Sequence, residues 1–375
     1  MFINAITSNE FIPSGRSVQA AIYYNYKIYF YNNSGSNKFF TLDISNIFDI
    51  NAPKFDKLDV NKLNASSYNI TFATSALFNS VIYSFGSQNK AINVFSMNLS
   101  TSPLFWKSET DSSRANAPYG LDGLTSLIDT STGKLYLFNG YDTMYVWNMY
   151  KSSWQYFPIN SATQKAYYTA TYLENLKKII YLGGFNGNYQ NNGDEISPMN
   201  QILIYSTLTN QWTTKTVQMG NFLPSRVGHS ACLVANNKIL IYGGRSSPLN
   251  PINSSNALAI LEINNDTDTY AWNIPNITYL TDQTIPFYHS ATLISNTYMI
   301  VAFGNISDKL SVEDPSPISV LKVDAENNEY QWLTSIDEPI LIRLYKYPVS
   351  MPPPLQTFLP IKSQYHDQMI QTPNI

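Results

Sequence analysis

The sequence predicts an all-β chain: six blades of four antiparallel strands each, set in a ring as a β-propeller. Three observations carry that prediction. The first is a repeat. Gly183-Gly184 closes the apolar run 178–182, Gly243-Gly244 closes 238–242, and Phe303-Gly304 closes 298–302, at steps of sixty residues. Phe85-Gly86, Asn139-Gly140 and, more loosely, Asn32-Asn33 hold the same place upstream. A period of this length marks repeated supersecondary units, each burying its faces against its neighbours. The second observation is the make-up of each unit: four runs of four to six residues, rich in β-branched and aromatic side chains and bounded by Asn, Ser, Gly and Pro, which are strand signals. The third is the lack of any sustained 3.6-residue period, which removes helix as the competing assignment.

The four strands follow in order. The first is apolar and opens on a His-Ser pair, as in His229 to Val234 and His289 to Ile294. A polar turn, Asn236-Asn237 or Asn296-Thr297, leads into the second strand, which ends on the glycines. There the chain must turn sharply beside a crowded axis, and glycine takes a positive φ without a Cβ clash. The third strands are 39–44, 92–97, 144–149, 202–205, 258–263 and 320–323. The fourth carries an aromatic residue: Phe55, Trp106, Trp154, Trp212, Trp272 and Trp332, each expected to fill the wedge between adjacent blades. On this reading residues 1–347 are one propeller with blades starting near 16, 70, 119, 167, 226 and 286, and 348–375 are a proline-containing tail. Blades in a ring leave short, protected edges. Closure is expected from 3–7 or 340–345 as a strand beside the last blade.

These residues resemble the kelch repeat, whose pattern is an Arg/Gly/His-Ser start, a hydrophobic run into Gly-Gly, and a later Trp. Blade five matches best, with Arg226-Val227-Gly228-His229-Ser230, Gly243-Gly244 and Trp272. Blade six keeps His289-Ser290, Gly304 and Trp332, and blade four keeps Gly183-Gly184 and Trp212. Blades one to three are degenerate. The stretch from Leu42-Asp43-Ile44 to Pro53 is also similar to the first blade of fungal secreted kelch proteins.

Composition narrows the function. At 375 residues with 44% hydrophobic and 14% aromatic, the chain has ample material for a core. Charged residues make up 13%, about half the usual share, so Asn, Ser, Thr and Tyr must cover the surface. The net charge is −3, with no basic run, and nucleic acid is an unsuitable partner. No segment holds eighteen uncharged apolar residues, so no membrane span is expected. The first ten residues lack the marks of a signal peptide, which leaves the compartment open with the cytoplasm as the default. Eight N-x-S/T sequons, at Asn32, Asn64, Asn69, Asn98, Asn253, Asn265, Asn276 and Asn305, suit an extracellular origin if the chain is truncated at its start. The single cysteine, Cys232, lies in a core strand and reads as a small buried hydrophobe.

Propellers host several chemistries, each with its own motif. The resemblance extends to galactose oxidases, whose copper site implies two His, two Tyr and a Tyr-Cys crosslink. Here His229 and His289 share one repeat position, His366 lies in the tail, and Cys232 follows His229 by three residues. Neither the Ser-x-Asp-x-Gly-x-x-Trp turns of sialidases nor the Glu-x-x-x-Asp-x-x-x-His iron motif of kelch-type specifier proteins occurs. The expectation is therefore a non-enzymatic module with no catalytic residues, metal or cofactor, binding a protein partner through its loop-lined face. The alternatives are a divergent galactose-oxidase-like or glycan-binding propeller, or an adhesive ectodomain. Residues just before strand one and just after the glycines should share one face. The expected partner-binding set is Arg16, Tyr119, Tyr141, Tyr167, Phe185, Asn186, Arg226, Arg245, Phe287 and Tyr288, since Tyr and Arg most often anchor interfaces.

Overall fold

Each repeat becomes one antiparallel sheet. The computed structural model describes residues 13, 20–31, 39–46, 48–58, 60–61, 71–88, 91–109, 125–140, 142–159, 165–186, 195–219, 223–247, 250–280, 283–306 and 318–336. The first sheet joins Ala20–Tyr24, Lys27–Tyr31, Phe39–Asp43 and Phe55–Lys57; the second Thr71–Phe78, Val81–Gln88, Ala91–Asn98 and Lys107–Ser108. The third joins Ser126–Asp129, Lys134–Phe138, Thr143–Asn148 and Ser153–Pro158; the fourth Thr169–Leu173, Lys178–Leu182, Gln201–Ser206 and Gln211–Thr216. The fifth holds Ser230–Val234, Lys238–Tyr242, Leu258–Asn264 and Thr269–Asn273, and the sixth Ser290–Ile294, Tyr298–Ala302, Ile318–Asp324 and Glu329–Leu333. The protein is all-β; among the described residues the one helical element is the 3-10 turn Ser254–Asn256.

The first strands of successive sheets touch in order, and the first strand of the sixth sheet, Ser290–Ile294, touches that of the first, Ala20–Tyr24. This order is consistent with blades around a central axis. Middle strands are buried on both faces, as in Ile239 to Tyr242, all at 0% exposure, because a sheet lies against each side. Such strands read as continuous apolar runs. Outermost strands such as Gln211–Thr216 are mostly exposed.

The core accordingly sits between sheets. Separate clusters of buried residues bridge the first and second, fourth and fifth, fifth and sixth, and sixth and first sheets. Another runs from the third sheet into the fourth. Four of the five fourth-strand tryptophans reach the preceding sheet. Trp106 meets Tyr31 at 5.8 Å, Trp212 meets Phe138 at 4.8 Å, and Trp332 meets Tyr242 at 4.9 Å. Trp272 donates its Nε1–H to the Met199 carbonyl at 2.6 Å. Trp154 differs, stacking within its own sheet on Tyr145, Trp147 and Tyr156.

Short clips between sheets are an addition the sequence did not signal. Val60–Asn61 pairs with Leu104–Phe105, Gln218–Met219 with Ala271 and Trp272, and Ser335–Ile336 with Phe48–Asp49. In each case chain leaving one sheet hydrogen-bonds to the next, and the last clip ties the sixth sheet to the first. The two segments expected to close the ring, 3–7 and 340–345, lie outside the described residues. At this junction Phe303 takes the place of the first glycine. With φ +63° it is buried against Phe30, Phe40 and Phe55 at 5.1, 5.7 and 6.0 Å.

Candidate functional site

The repeat places one short ladder beyond the first two strands of each of the last three sheets. Ala166 pairs with Phe185, Val227 with Arg245, and Phe287 with Asn305. Lead-in and post-glycine residues therefore do share a face. Three sets of equivalents follow: Lys165, Arg226 and Pro286; Tyr167, Gly228 and Tyr288; and Phe185, Arg245 and Asn305. Loop segments thicken this face. Glu195–Ile196 adds to Phe185–Asn186, and Arg245–Ser247 pairs with Asn250–Pro251 ahead of the 3-10 turn.

The glycines make the sheets dock closely. A Cβ on Gly243 would lie 2.4 Å from the Pro286 carbonyl and 2.8 Å from His289 Cε1, both on the sixth sheet's lead-in. A Cβ on Gly183 would lie 2.6 Å from the Arg226 carbonyl and 2.7 Å from His229 Cε1, the same relation one sheet earlier. Across the bare backbone Gly184 and Gly244 donate to Arg226 O and Pro286 O, each at 3.0 Å. The histidines complete the joint: His229 Nε2 meets Thr169 Oγ1 at 3.1 Å and His289 Nε2 meets Ser230 Oγ at 2.8 Å. Burial holds His229 well below its usual range and pulls His289 down to about 3. Both rings are neutral spacers between sheets.

Arg226 corrects an expectation. It is fully buried, and its guanidinium donates to the carbonyls of Pro224, Gly243, Ala257 and Asn256 at 3.4, 3.3, 3.5 and 2.9 Å. It holds the post-glycine loop of its own sheet and offers a partner no surface. Phe185 and Phe287, at 7% and 2% exposure, likewise lie beneath the face and not on it.

What the face presents is a stacked patch across the fourth, fifth and sixth sheets. Gly228 has no side chain, and the Tyr288 ring fills the space; a Cβ there would stand 2.4 Å from Tyr288 Cδ1. Crossing that gap, Tyr288 packs on Tyr167 with ring centres 4.9 Å apart, and Tyr167 rests on Phe185 at 6.2 Å. The Arg245 guanidinium lies over Phe287 at 5.0 Å and Tyr288 at 5.1 Å, and Nη2 donates to the Tyr288 hydroxyl at 2.9 Å. Cation–π contacts of this kind contribute about 0.5–2 kcal/mol. Tyr167 and Tyr288 sit at φ +55° and +54°, which costs about 1–2 kcal/mol per residue and is held by the surrounding fold. Backbone bonds fix them: Gly228 N–H donates to Tyr167 O at 3.3 Å and Tyr288 N–H to Gly228 O at 2.7 Å.

The structure thus brings Tyr167, Phe185, Asn186, Arg245, Phe287 and Tyr288 to one region, with Tyr167, Asn186, Arg245 and Tyr288 partly exposed. Arg16, Tyr119 and Tyr141 lie outside the described residues. Lys165, beside this patch, was not anticipated. Its repeat equivalent Arg226 was visible, but the lysine sits in blade four, where the kelch-like start is lost.

Other chemistry-bearing groups are dispersed. Cys232 is buried, its thiol pushed up to about 12 by desolvation, with Sγ 3.9 Å from the Ala291 carbonyl. Among the described residues no three His, Cys, Asp or Glu side chains gather as a metal set, and no helix is long and apolar enough to cross a membrane.

No protein-family model matches the chain, and no curated protein does. Solved structures similar to it include that of YjhT, at 14% identity over 68% of this chain and 81% of the other, with a TM-score of 0.49. Another is a fungal alcohol oxidase of the AA5 family in complex with copper, at 13% identity over 71% and 65%, with a TM-score of 0.44. Likenesses this distant carry no argument about function.

Proposed function

We propose that the chain is a six-bladed kelch-type propeller acting as a non-enzymatic interaction module, with a protein partner docking on the face where the fourth, fifth and sixth sheets meet. The observation that carries this is the Tyr167–Tyr288–Arg245 stack. Two tyrosines and an arginine, the residue types most enriched at binding hot spots, are pre-ordered by mutual packing and by a rigid joint beneath them. Side chains already immobilised lose little further freedom on binding. His229, His289 and Cys232, which could have served catalysis, are committed to packing between sheets. Among the described residues few charges surround the patch, which suits an interface core with a polar rim.

The test is affinity capture with the purified chain as bait, followed by mass spectrometry. The native bait should retain a protein that a bait carrying Arg245→Ala and Tyr167→Gly loses, glycine being chosen because it accepts the positive φ at 167. Equal capture by both baits would remove the patch as the docking surface.

A further inference from the structure

Lys165 lies beside the stack, on the first strand of the small sheet Lys165–Ala166, Phe185–Asn186 and Glu195–Ile196. Residues directly opposite in such a ladder share a face. Lys165, Asn186 and Glu195 form one such row, and Ser197, two residues past Glu195, lies on the same side. Ala166, Phe185 and Ile196 occupy the other side.

The polar side holds a cation without a counter-charge. Lys165 Nζ donates to Ser197 Oγ at 2.7 Å and to Asn186 Oδ1 at 3.3 Å, and Ser197 Oγ donates to the same Oδ1 at 2.5 Å. Neither acceptor is charged, and no ion pair is made by Lys165 among the described residues; Glu195, at the end of the row, is exposed and apart from it. Ser197 is 2% exposed and the lysine is half-buried. Desolvation lowers the lysine to about 8. Its repeat equivalent, Arg226, differs in having more acceptors: it donates to four carbonyls. Lys165 has two neutral acceptors for three N–H groups.

The amide orientation settles which donors remain. An ammonium only donates, so the Asn186 atom facing it must be oxygen. Lys165 and Ser197 both bind Oδ1, which turns Nδ2 and its two N–H groups away from them. No acceptor meets those N–H groups among the described residues. One ammonium N–H and the Asn186 amide N–H groups are thus left for a further acceptor.

We propose that Lys165 and Asn186, braced by Ser197, form a binding site for a carboxylate. Charge decides the class: one ammonium with neutral neighbours matches a monoanion, whereas a phosphate dianion would leave an uncompensated charge in a desolvated site. The site stands apart from the docking proposal, since it depends on neither Arg245 nor a partner.

The experiment is trace acylation of the native chain at pH 8 with an activated ester, with peptide mass spectrometry reading each lysine. Acetate is the probe, chloride at matched ionic strength the control, and exposed Lys151 the internal standard. Lys165 labelling should fall saturably, at least about fivefold, in acetate and not in chloride, while Lys151 is unchanged. Phosphate at equal concentration should protect less. Asn186→Leu should abolish the acetate effect. Asn186→Asp preserves the shape and places a carboxylate on Lys165, so it should abolish the effect while itself slowing labelling. Equal labelling in acetate and chloride would overturn the proposal, as would protection that survives in both variants, protection by phosphate equal to that by acetate, or no labelling of Lys165 in any salt. Because the assay contains no partner, its failure leaves the docking face untouched.

Discussion

Substituting alanine for Gly243 and for Gly133 isolates the joint between sheets from ordinary backbone strain. The two glycines have nearly the same φ, +66° and +63°, so an alanine pays a similar left-handed penalty at each, about 1–2 kcal/mol. Both new Cβ atoms collide, but with different things. At Gly133 the obstacle is the Tyr150 ring at 2.3 Å, and Tyr150 is 70% exposed and can swing into water. At Gly243 it is the Pro286 carbonyl at 2.4 Å and His289 at 2.8 Å, which belong to the backbone and buried core of the next sheet. Restoring a contact of 3.4 Å requires the sixth sheet's lead-in to retreat by 3.4 − 2.4 = 1.0 Å. A shift of that size breaks the Gly244–Pro286 bond at 3.0 Å and strains the His289–Ser230 bond at 2.8 Å. Leaving buried groups unpaired costs about 1–3 kcal/mol apiece. Gly243→Ala should therefore be less stable than Gly133→Ala by about 2–5 kcal/mol in total. Urea denaturation of both variants, with matched m-values, reads the difference. If the two fall within about 1 kcal/mol of each other, the glycine joint is not what holds these sheets together.

Two further outcomes follow from the same joints. Trp272→Ala should cost about 3–5 kcal/mol in urea denaturation, because it empties a buried site between the fourth and fifth sheets and strips the Met199 carbonyl of its donor; a variant as stable as the parent would refute the packing role. Acid should weaken the fold before any carboxylate of ordinary pKa titrates. The folded chain keeps His229 and His289 neutral, while the unfolded chain takes up protons below the usual 6.5, so stability is full above pH 6.5 and declines as pH falls towards 3. At pH 5 the loss from His289 is about 2 kcal/mol, and His289→Gln should show a smaller drop than the parent between pH 7.5 and pH 5. A drop unchanged in that variant would mean His289 is not the group responsible.

Much of the architecture was legible because propeller strands carry strong signals. A strand buried on both faces, such as Lys238–Tyr242, reads as an unbroken apolar run, and the glycines mark its end at a fixed step. The common face was legible too, since two antiparallel strands must return to the side they left. The clips were not. Val60–Asn61, Gln218–Met219 and Ser335–Ile336 are two-residue pairings with no periodicity of their own. The site was half legible. Arg245 and Tyr288 stood out by type and repeat position, but Arg226 shares both attributes and is buried. What separates them is three-dimensional: Arg226 points under its own loop, where carbonyls converge, while Arg245 lies one ladder step beyond the glycine. Nor could the sequence show that Gly228 opens the gap through which Tyr288 reaches Tyr167, or that Lys165 makes no ion pair among the described residues.

The docking face is tested most directly by calorimetry with the captured partner. Two double variants are compared with the parent: Arg245→Ala with Tyr167→Gly on the proposed face, and Asn236→Gly with Asn296→Gly in the turns of the opposite one. Glycine suits the second pair because both asparagines have positive φ, +61° and +52°. The account predicts that the first pair weakens binding at least about tenfold, or about 1.4 kcal/mol, with the second within about twofold of the parent. Equal affinities for the two variants, or a greater loss from the asparagine pair, would contradict it.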